Sequence, residues 1–337
     1  YNNMGLATIA RVASTAWDES SIGLMARLNY SFNSRYILTG TFRRDGYSGF
    51  GANNKWANFP SLSAAWVFSE ESLFSGAGNY YGKLRLSYGK NGNQGIGRYS
   101  SLSRMATRYY VYGESPAVGL YPSTLGNSAL SWETTESFNL GLDYGFLNNR
   151  ITGTLDLYSS KTRDVLVQRQ LPRAAGYTSV WANIGGIANK GVDFMINSKN
   201  LTGELKWETA FVFSLNRSKI TKLYGNGNDA DPGNGWFVGE PISSLYDYKM
   251  SGGVWTEQEL FNKQIPYAGW YPGQFRYEDL NGDNQITPDK DRTVVGYREP
   301  NYRFAITNTL SYRGFSLSVM FNSIQGGNGY FLGENAE

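Results

Sequence analysis

The chain has 337 residues, no Cys and no His, and a formal net charge of +3 from 31 basic and 28 acidic side chains. Without Cys or His, disulfides, cysteine zinc sites and nucleophilic systems built on a Cys or an imidazole are excluded. The charges are interspersed rather than gathered into a basic block, which argues against nucleic-acid binding.

Aromatic residues and glycine dominate the remaining composition, with 25 Tyr, 18 Phe, 9 Trp and 40 Gly. Aromatic side chains favour strands and Gly favours turns. Apolar and polar residues alternate along the chain, as where Leu24 and Leu28 flank Arg27 and precede Asn29. Such period-two alternation predicts ten strands, over residues 22–32, 36–42, 62–68, 84–88, 138–144, 151–157, 192–196, 205–215, 302–312 and 315–321.

The connections between these predicted strands alternate between short and long. The short ones are 33–35, 145–149, 199–204 and 313–314, joined by the intermediate 69–83, and the long ones are 43–61, 89–131, 161–188 and 218–301. Tight turns at one end and large loops at the other are typical of an outer-membrane β-barrel. A soluble sandwich also alternates, but its strands run only about 5 to 6 residues, shorter than several strands here. The pattern therefore favours an all-β transmembrane barrel with long extracellular loops.

Helical membrane spans and a signal peptide are not predicted. No stretch approaches the ~18 consecutive apolar residues of a membrane helix. The first ten residues, YNNMGLATIA, lack the basic and apolar regions of a signal peptide. We expect the chain to be an internal or processed piece of a longer protein.

The long loops are rich in aromatic residues, which on a rigid scaffold predict a binding surface. Aromatic rings stack on sugar faces or on apolar peptide side chains, although the same rings could also pack on one another. The candidates for ligand contact are Tyr109, Tyr110, Tyr112, Trp236, Trp255 and Trp270.

An acidic stretch in the last long loop, DLNGDNQITPDKDRT over residues 279–293, has the spacing of a calcium loop. Asp279, Asn281 and Asp283 occupy positions 1, 3 and 5 of an EF-hand-like segment, 279–291, and Lys290 stands where the closing Glu belongs. Closure one residue later would complete a candidate metal set of Asp279, Asn281, Asp283, Gln285 and Asp291. A structural calcium ion and a hydrogen-bonded polar turn both remain open, and the flanking strands argue against catalysis.

A glycine-rich segment, GKNGNQGIG over residues 89–97, follows a predicted strand. It has neither the G-x-G-x-x-G order nor a GK[ST] ending, and no helix is predicted after it. A phosphate-cradling role is therefore not expected.

Five blocks of sequence closely resemble the barrel of SusC/RagA-type TonB-dependent outer-membrane transporters. They run through LNYSFNSRYILTGTFRRDGYSGFGANNKWANFPSLSAAW, LRLSYGKNGNQ, LSWETTESFNLGLDYGFLNNRITGTLDLYSSKTRDVLV, NIGGIANKGVDFMIN and the block from residue 279 to 330. The blocks span most of the chain in the family's order.

The resemblance implies a barrel of about 22 antiparallel strands with a plugged lumen, set in outer-membrane lipid and lipopolysaccharide. It implies import of a glycan or peptide nutrient, without catalysis, together with a SusD-like surface lipoprotein and energy from TonB–ExbB–ExbD. On this reading residues 1–337 form a partial barrel that lacks the plug, the first strands and the last strands. The polar positions expected to line the lumen are Arg27, Asn29, Arg85, Ser87, Asn139, Asp143, Thr154 and Asp156.

Three other functions remain as alternatives. The first is a TonB-dependent receptor for a siderophore or cobalamin, and the second is a soluble β-rich carbohydrate-binding or glycosidase domain. The third is a passive porin. A structural calcium ion is the candidate cofactor, and no redox cofactor is expected.

Overall fold

The structure is a computed structural model that describes residues 16–73, 79–113, 115–171, 173–177, 179–224, 227, 229–262 and 271–327. These residues form twenty strands, one short helix and 3₁₀ turns at Phe68–Glu70 and Arg173–Ala175. In chain order the elements are β1 Ser21–Phe32, β2 Tyr36–Tyr47, β3 Trp56–Trp66, β4 Tyr80–Asn93, β5 Arg104–Tyr112, β6 Ser115–Thr124, β7 Glu133–Phe146, β8 Ile151–Arg163, β9 Leu166–Gln170, β10 Ser179–Asn183, β11 Gly186–Thr202, β12 Leu205–Lys222, β13 Ala230–Asp231, β14 Trp236–Phe237, β15 Ser244–Tyr248, β16 Met250–Val254, α1 Glu257–Phe261, β17 Phe275–Tyr277, β18 Arg292–Tyr297, β19 Tyr302–Tyr312 and β20 Phe315–Gln325. No helix in these ranges is long and apolar enough to cross a membrane.

Ten of the strands form one antiparallel sheet in the order β1-β2-β3-β4-β7-β8-β11-β12-β19-β20. These are the ten strands that alternation predicts, so the all-β prediction is confirmed. Each has at least 11 residues, and β12 has 18. The other strands pair two by two outside this sheet. The predicted number of strands in the whole barrel stays a prediction.

The sheet has one apolar face that continues from strand to strand. Directly opposite residues place Leu86, Leu140, Leu157, Val192 and Leu215 in one row across β4, β7, β8, β11 and β12. Because successive side chains of a strand point to opposite faces, this row leaves polar side chains on the other face. The two faces therefore differ sharply in polarity across the centre of the sheet.

The polar face carries all eight positions predicted to line the lumen, as the strand registers show. Arg85 joins two of them, because its guanidinium lies 2.8 Å from an Asp143 oxygen and 3.0 Å from an Asp156 oxygen. Asn139 donates to the same Asp156 carboxylate over 2.8 Å. These contacts tie β4, β7 and β8 together on the polar face.

The two ends of the sheet have different connections. We call one the short-turn end, where the connections are 33–35, 67–79, 147–150, 203–204 and 313–314. The other is the long-connection end, with 48–55, 94–132, 164–185 and 223–301. At the short-turn end the two residues Arg313 and Gly314 both have positive φ, 44° and 87°, as a type I′ hairpin turn requires.

The first long connection is shorter than predicted. The sequence predicts a connection over residues 43–61, but β2 and β3 stay paired until Gly46 faces Trp56. The charged residues of β2 do not end the strand, because Arg43 and Asp45 form an ion pair at 2.7 Å on one face of it. Pro60 is tolerated within β3 because pairing with β4 begins only at Ser61, so the missing N–H breaks no bond on that side.

A small hydrophobic core lies at the long-connection end. It consists of the buried side chains Tyr47, Phe50, Phe59, Ile96, Leu130 and Trp132. The indole of Trp132 donates to the Lys55 carbonyl over 3.1 Å, which fixes the ring against the connection between β2 and β3. This core forms the floor beneath the site described next.

Candidate functional site

A trough lies above this core where three segments of the long-connection end meet. They are residues 16–20 before β1, residues 48–55 and the beginning of the connection after β4. Two adjoining cavities of about 370 and 780 Å³ make up the trough, and Glu19, Arg98 and Tyr99 line both. We call this pair of cavities the Arg98 trough.

Arg98 is held in place from two sides. Its guanidinium carbon lies 3.4 Å from the centre of the Trp17 ring, a close cation–π contact. Its Nε atom donates to Glu19 over 2.7 Å. In the residues that the structure describes, the terminal nitrogens Nη1 and Nη2 have no protein hydrogen-bond partner. The guanidinium is therefore oriented while its two-nitrogen edge stays open.

Tyr99 has an unusual backbone conformation for an aromatic residue. Its φ of 59° lies in the left-handed region, which is uncommon and costly for residues other than Gly, Asn and Asp. Its hydroxyl accepts a hydrogen bond from the Asp18 N–H over 2.8 Å, which links the segment before β1 to the connection after β4. Strain of this kind is concentrated at binding and catalytic sites.

The floor and the wall of the trough are tightly built. Phe50 is only 1% exposed. A side chain at Gly51 would collide with the Ser128 carbonyl oxygen, so this close approach requires Gly. The Ser20 N–H donates to Ser48 Oγ over 3.0 Å, which closes the side nearest β1.

The predicted ligand-contact aromatic residues lie on separate parts of the long connections. Tyr109 and Tyr110 stand on the hairpin of β5 and β6 and are 69% and 50% exposed. Trp236 in β14 is half-buried, and the half-buried Trp255 packs against Arg276, whose guanidinium carbon is 4.7 Å from the ring centre. The side chain of Tyr112, and all of Trp270, lie outside the described residues. Their role in ligand contact stays a prediction.

The acidic stretch folds into a turn closed by its own hydrogen bonds. The Asp279 carboxylate accepts from the Gly282 and Asn284 N–H groups, both over 2.7 Å. Asp283 accepts from the Gln285 N–H over 2.9 Å and from the Lys290 ammonium over 2.8 Å. The hydrogen bond from Lys290, and then that from the Asn281 amide, lowers the pKa of the Asp283 carboxyl, and Asp283 in turn raises the pKa of Lys290.

Asp291, the predicted closing ligand, points into the protein. It is fully buried, and its two oxygens accept from the Leu280 N–H over 3.0 Å and the Thr287 N–H over 2.7 Å. Among the described side chains, no three acidic groups are placed to share a metal ion. Asp283 instead pairs with the Lys290 ammonium, and calcium stays a prediction from the spacing.

A second anchored segment lies just after β12. The Tyr224 hydroxyl donates to Asp231, and the Asn234 amide donates to the same carboxylate over 2.8 Å. Burial and the bond to Asp231 raise the pKa of Tyr224 to about 12. Burial opposes ionisation of Asp231, but the hydrogen bonds from Tyr224 and Asn234 outweigh it and lower its pKa.

Sequence reasoning missed Trp17, Glu19, Arg98 and Tyr99. Arg98 directly follows the glycine-rich segment 89–97, which the sequence identifies only as a poor phosphate loop. The available signal was an Arg–Tyr pair at the end of that segment. Its partners come from about 80 residues upstream in sequence, as the Glu19 and Asp18 contacts show.

Comparison with known proteins places these features in a family context. A family model described as "TonB dependent receptor-like, beta-barrel" matches residues 1–322. The chain is 34% identical to TonB-dependent receptor P3 of Formosa agariphila over 97% of the chain and 34% of the relative. It is 32% identical to TonB-dependent receptor SusC of Bacteroides thetaiotaomicron over 88% of the chain and 30% of the relative.

Solved structures give the same result. The structure of the RagAB peptide transporter has a TM-score of 0.75 and 28% sequence identity, over 91% of this chain and 33% of that one. The RagAB peptide importer in its "closed-closed" state has a TM-score of 0.77 and 25% identity, over 97% of this chain and 36% of that one. The chain spans about a third of the length of the curated relatives it matches.

Proposed function

Because the chain belongs to the TonB-dependent receptor-like β-barrel family of the outer membrane, we propose that it forms part of a SusC/RagA-type nutrient importer. The observation that supports this best is the two-faced sheet. Its apolar row from Leu86 to Leu215 suits lipid, and its polar face suits a water-filled or plugged interior. The cargo we propose is a glycan or a peptide.

The long-connection end is then the capture side, facing the cell exterior, as the 218–301 loop is predicted to do. Outer-membrane barrels carry short turns on the periplasmic side and long loops outside, which matches the two ends of this sheet. Cargo would first meet the Arg98 trough and the exposed hairpin of β5 and β6. Release would follow along the polar face past Arg85, Asp143 and Asp156.

Energy and partners belong to the same proposal. A SusD-like lipoprotein would cover the long-connection end, and TonB–ExbB–ExbD would drive release of the cargo. The named relatives are receptors and a transporter, which supports a transport role in which no bond is made or broken. Within this scheme the acidic turn is a clasp that holds the last long connection near β19, with Lys290 as its cation.

Uptake by the full-length protein tests this proposal. A strain that lacks the gene should lose growth on the oligosaccharide or peptide that the transporter imports, and complementation should restore growth only when TonB is functional. Growth without TonB would instead support a passive porin. A growth defect confined to iron- or cobalamin-limited medium would support the siderophore or cobalamin alternative.

Co-purification provides a second test. Affinity purification of the full-length protein from outer membranes should recover a surface lipoprotein in near-equal amount. If none is recovered while uptake persists, the partner must be removed from the proposal and the importer retained. The soluble carbohydrate-binding alternative is not retained, because the chain belongs to an outer-membrane barrel family.

A further inference from the structure

The Arg98 trough has the chemistry of a receptor for a negatively charged oxygen pair. A carboxylate binds Arg best when it meets two N–H groups side by side, since two parallel charge-assisted hydrogen bonds then form. In Arg98 one face of the planar guanidinium is covered by Trp17, and the Nε atom is used by Glu19. The edge left open is the pair of terminal nitrogens that a carboxylate would use.

The orientation of Arg98 is fixed by the protein itself. A free Arg side chain loses rotamer freedom when it binds a ligand, and this loss reduces affinity. Here the Trp17 contact at 3.4 Å and the Glu19 bond at 2.7 Å have already restricted the side chain. The strained backbone of Tyr99, the next residue, persists only where the surrounding structure holds this segment in one arrangement. Binding would therefore lose little additional entropy at Arg98.

The charges around the trough favour an anion over a cation. Three basic residues line it, Lys55, Arg98 and Arg104, against two acidic residues, Asp18 and Glu19. Glu19 is already used by Arg98, whereas Lys55 and Arg104 form no ion pair within the described ranges. The unpaired basic groups exceed the unpaired acidic groups by one.

We propose that the Arg98 trough binds the carboxylate of an incoming ligand through the open Nη1–Nη2 edge of Arg98. This proposal rests on the importer function and adds a chemical class of cargo to it. A carboxylate could come from the C-terminus of a peptide or from an acidic sugar. The shared group is what the trough recognises, and the size of the two cavities leaves room for more than one ligand residue.

Equilibrium binding to the full-length transporter in detergent tests the proposal with two matched pairs of probes. One pair is tri-alanine and its C-terminal amide, and the other is trigalacturonate and its methyl ester. The acid form of at least one pair should bind about tenfold more tightly than its neutral partner, as expected for a bidentate Arg–carboxylate contact. The pair that shows the preference identifies a peptide or an acidic sugar as the source.

Variants of Arg98 assign the preference to this side chain. Arg98→Gln should reduce the ratio of acid to neutral binding affinity to about one. Arg98→Lys should lose most of the preference for the acid, because the ammonium keeps the charge but lacks the two parallel N–H groups of the guanidinium. Arg44→Gln is the matched control, since Arg44 also stacks on a tryptophan, Trp56 at 5.2 Å, but does not line the trough. Heat-modifiable migration confirms that each variant folds, and if Arg98→Gln fails to fold, Arg98→Lys decides the outcome.

Two results would overturn the proposal. One is an acid-to-neutral ratio near one for both probe pairs in the wild-type protein. The other is an acid-to-neutral ratio that survives in every Arg98 variant that folds. Neither result affects the importer function, because TonB-dependent uptake and lipoprotein recovery are measured separately.

Discussion

The sheet and the long connections above it are stabilised in different ways. Across the sheet, each strand repeats the same backbone pairing and the same alternation of faces, so one side chain contributes a small part of the whole. In the long connections, order depends on single side chains, such as Asp279 and Asp231, that accept several hydrogen bonds each. Damage to the sheet should therefore destabilise the whole protein, whereas damage to a connection should stay local.

The largest effect is expected from a side chain placed where two strands leave no room. At Gly153 in β8 a Cβ would collide with the Met195 carbonyl oxygen and press on the Tyr144 hydroxyl. Gly153→Ala should lower the free energy of unfolding by about 3 kcal/mol, as overpacking against backbone does. Gly40→Ala in β2 is the control, since nothing lies within 4 Å of its Cβ position. Equal melting of the heat-modifiable band in the two variants would contradict this account.

A smaller loss of stability, still affecting the whole sheet, is expected from a substitution on the polar face. Arg85→Gln removes the cation between Asp143 and Asp156 and leaves their carboxylates with the longer contact from Lys83, 3.6 Å from Asp143. The side chains are partly exposed, so solvent screening limits the loss to about 1–2 kcal/mol. Arg27→Gln should cost less, because Arg27 makes only one described side-chain bond, to Thr41 at 3.2 Å. The comparison is made by denaturant unfolding at low and high salt, and a salt-independent difference would exclude an electrostatic cause.

A local effect is expected at Tyr224 at high pH. The pKa of Tyr224 is raised from 10.0 to about 12. The contribution of the Tyr224–Asp231 hydrogen bond to stability is therefore complete below pH 10 and is lost as the pH rises towards 12. The lowered pKa of Asp231 gives the opposite behaviour in acid, where the bond is lost as pH falls below the ordinary value of 3.8. The tyrosinate absorbance of wild type minus Tyr224→Phe should therefore titrate near pH 12. A midpoint near 10 would show that the contact is not maintained.

The smallest effect on stability, but a new binding property, is expected at the acidic turn. Lys290→Glu supplies a carboxylate at position 12 of the calcium loop and removes the internal cation. Terbium luminescence of the full-length protein should then reveal binding in the variant that is absent from wild type. Arg313→Glu is the control, because it also replaces the cation of an ion pair by a carboxylate, 3.5 Å from Glu204, but at the short-turn end of the sheet. Binding by the wild-type turn would establish the calcium site that its spacing predicts.

Much of the sheet was predictable because the alternation of apolar and polar residues along each strand can be read directly from the sequence. The strand ends were less predictable, since the pairing of β2 with β3 continues through Arg43 and Asp45, whose charges compensate each other only once folded. The acidic turn was predictable as a turn, because Asp and Asn bind their own backbone nearby. The inward orientation of Asp291 was not, since it depends on Leu280 and Thr287 being fixed around it.

The Arg98 trough shows why the candidate site was harder to predict than the fold. Its arginine, its ring partner and its floor come from three distant segments, at Arg98, Trp17 and Phe50. No spacing rule connects such positions, because their distance is set by the sheet that supports them. The predicted aromatic residues are abundant within single loops, and abundance within one loop does not indicate which loops lie close together.

The two-residue turn at Arg313 and Gly314 has a consequence for how such a protein can diversify. One inserted residue there would exchange the faces of the following strand and bring polar side chains into lipid. An insertion in residues 94–132 changes no register in the ten-stranded sheet, and within β5 or β6 it would shift only the pairing of that hairpin. Longer loops cost little additional closure entropy. The two ends of the sheet therefore tolerate different changes: connections at the long-connection end can be lengthened or exchanged, whereas a two-residue turn at the other end must keep its number of residues.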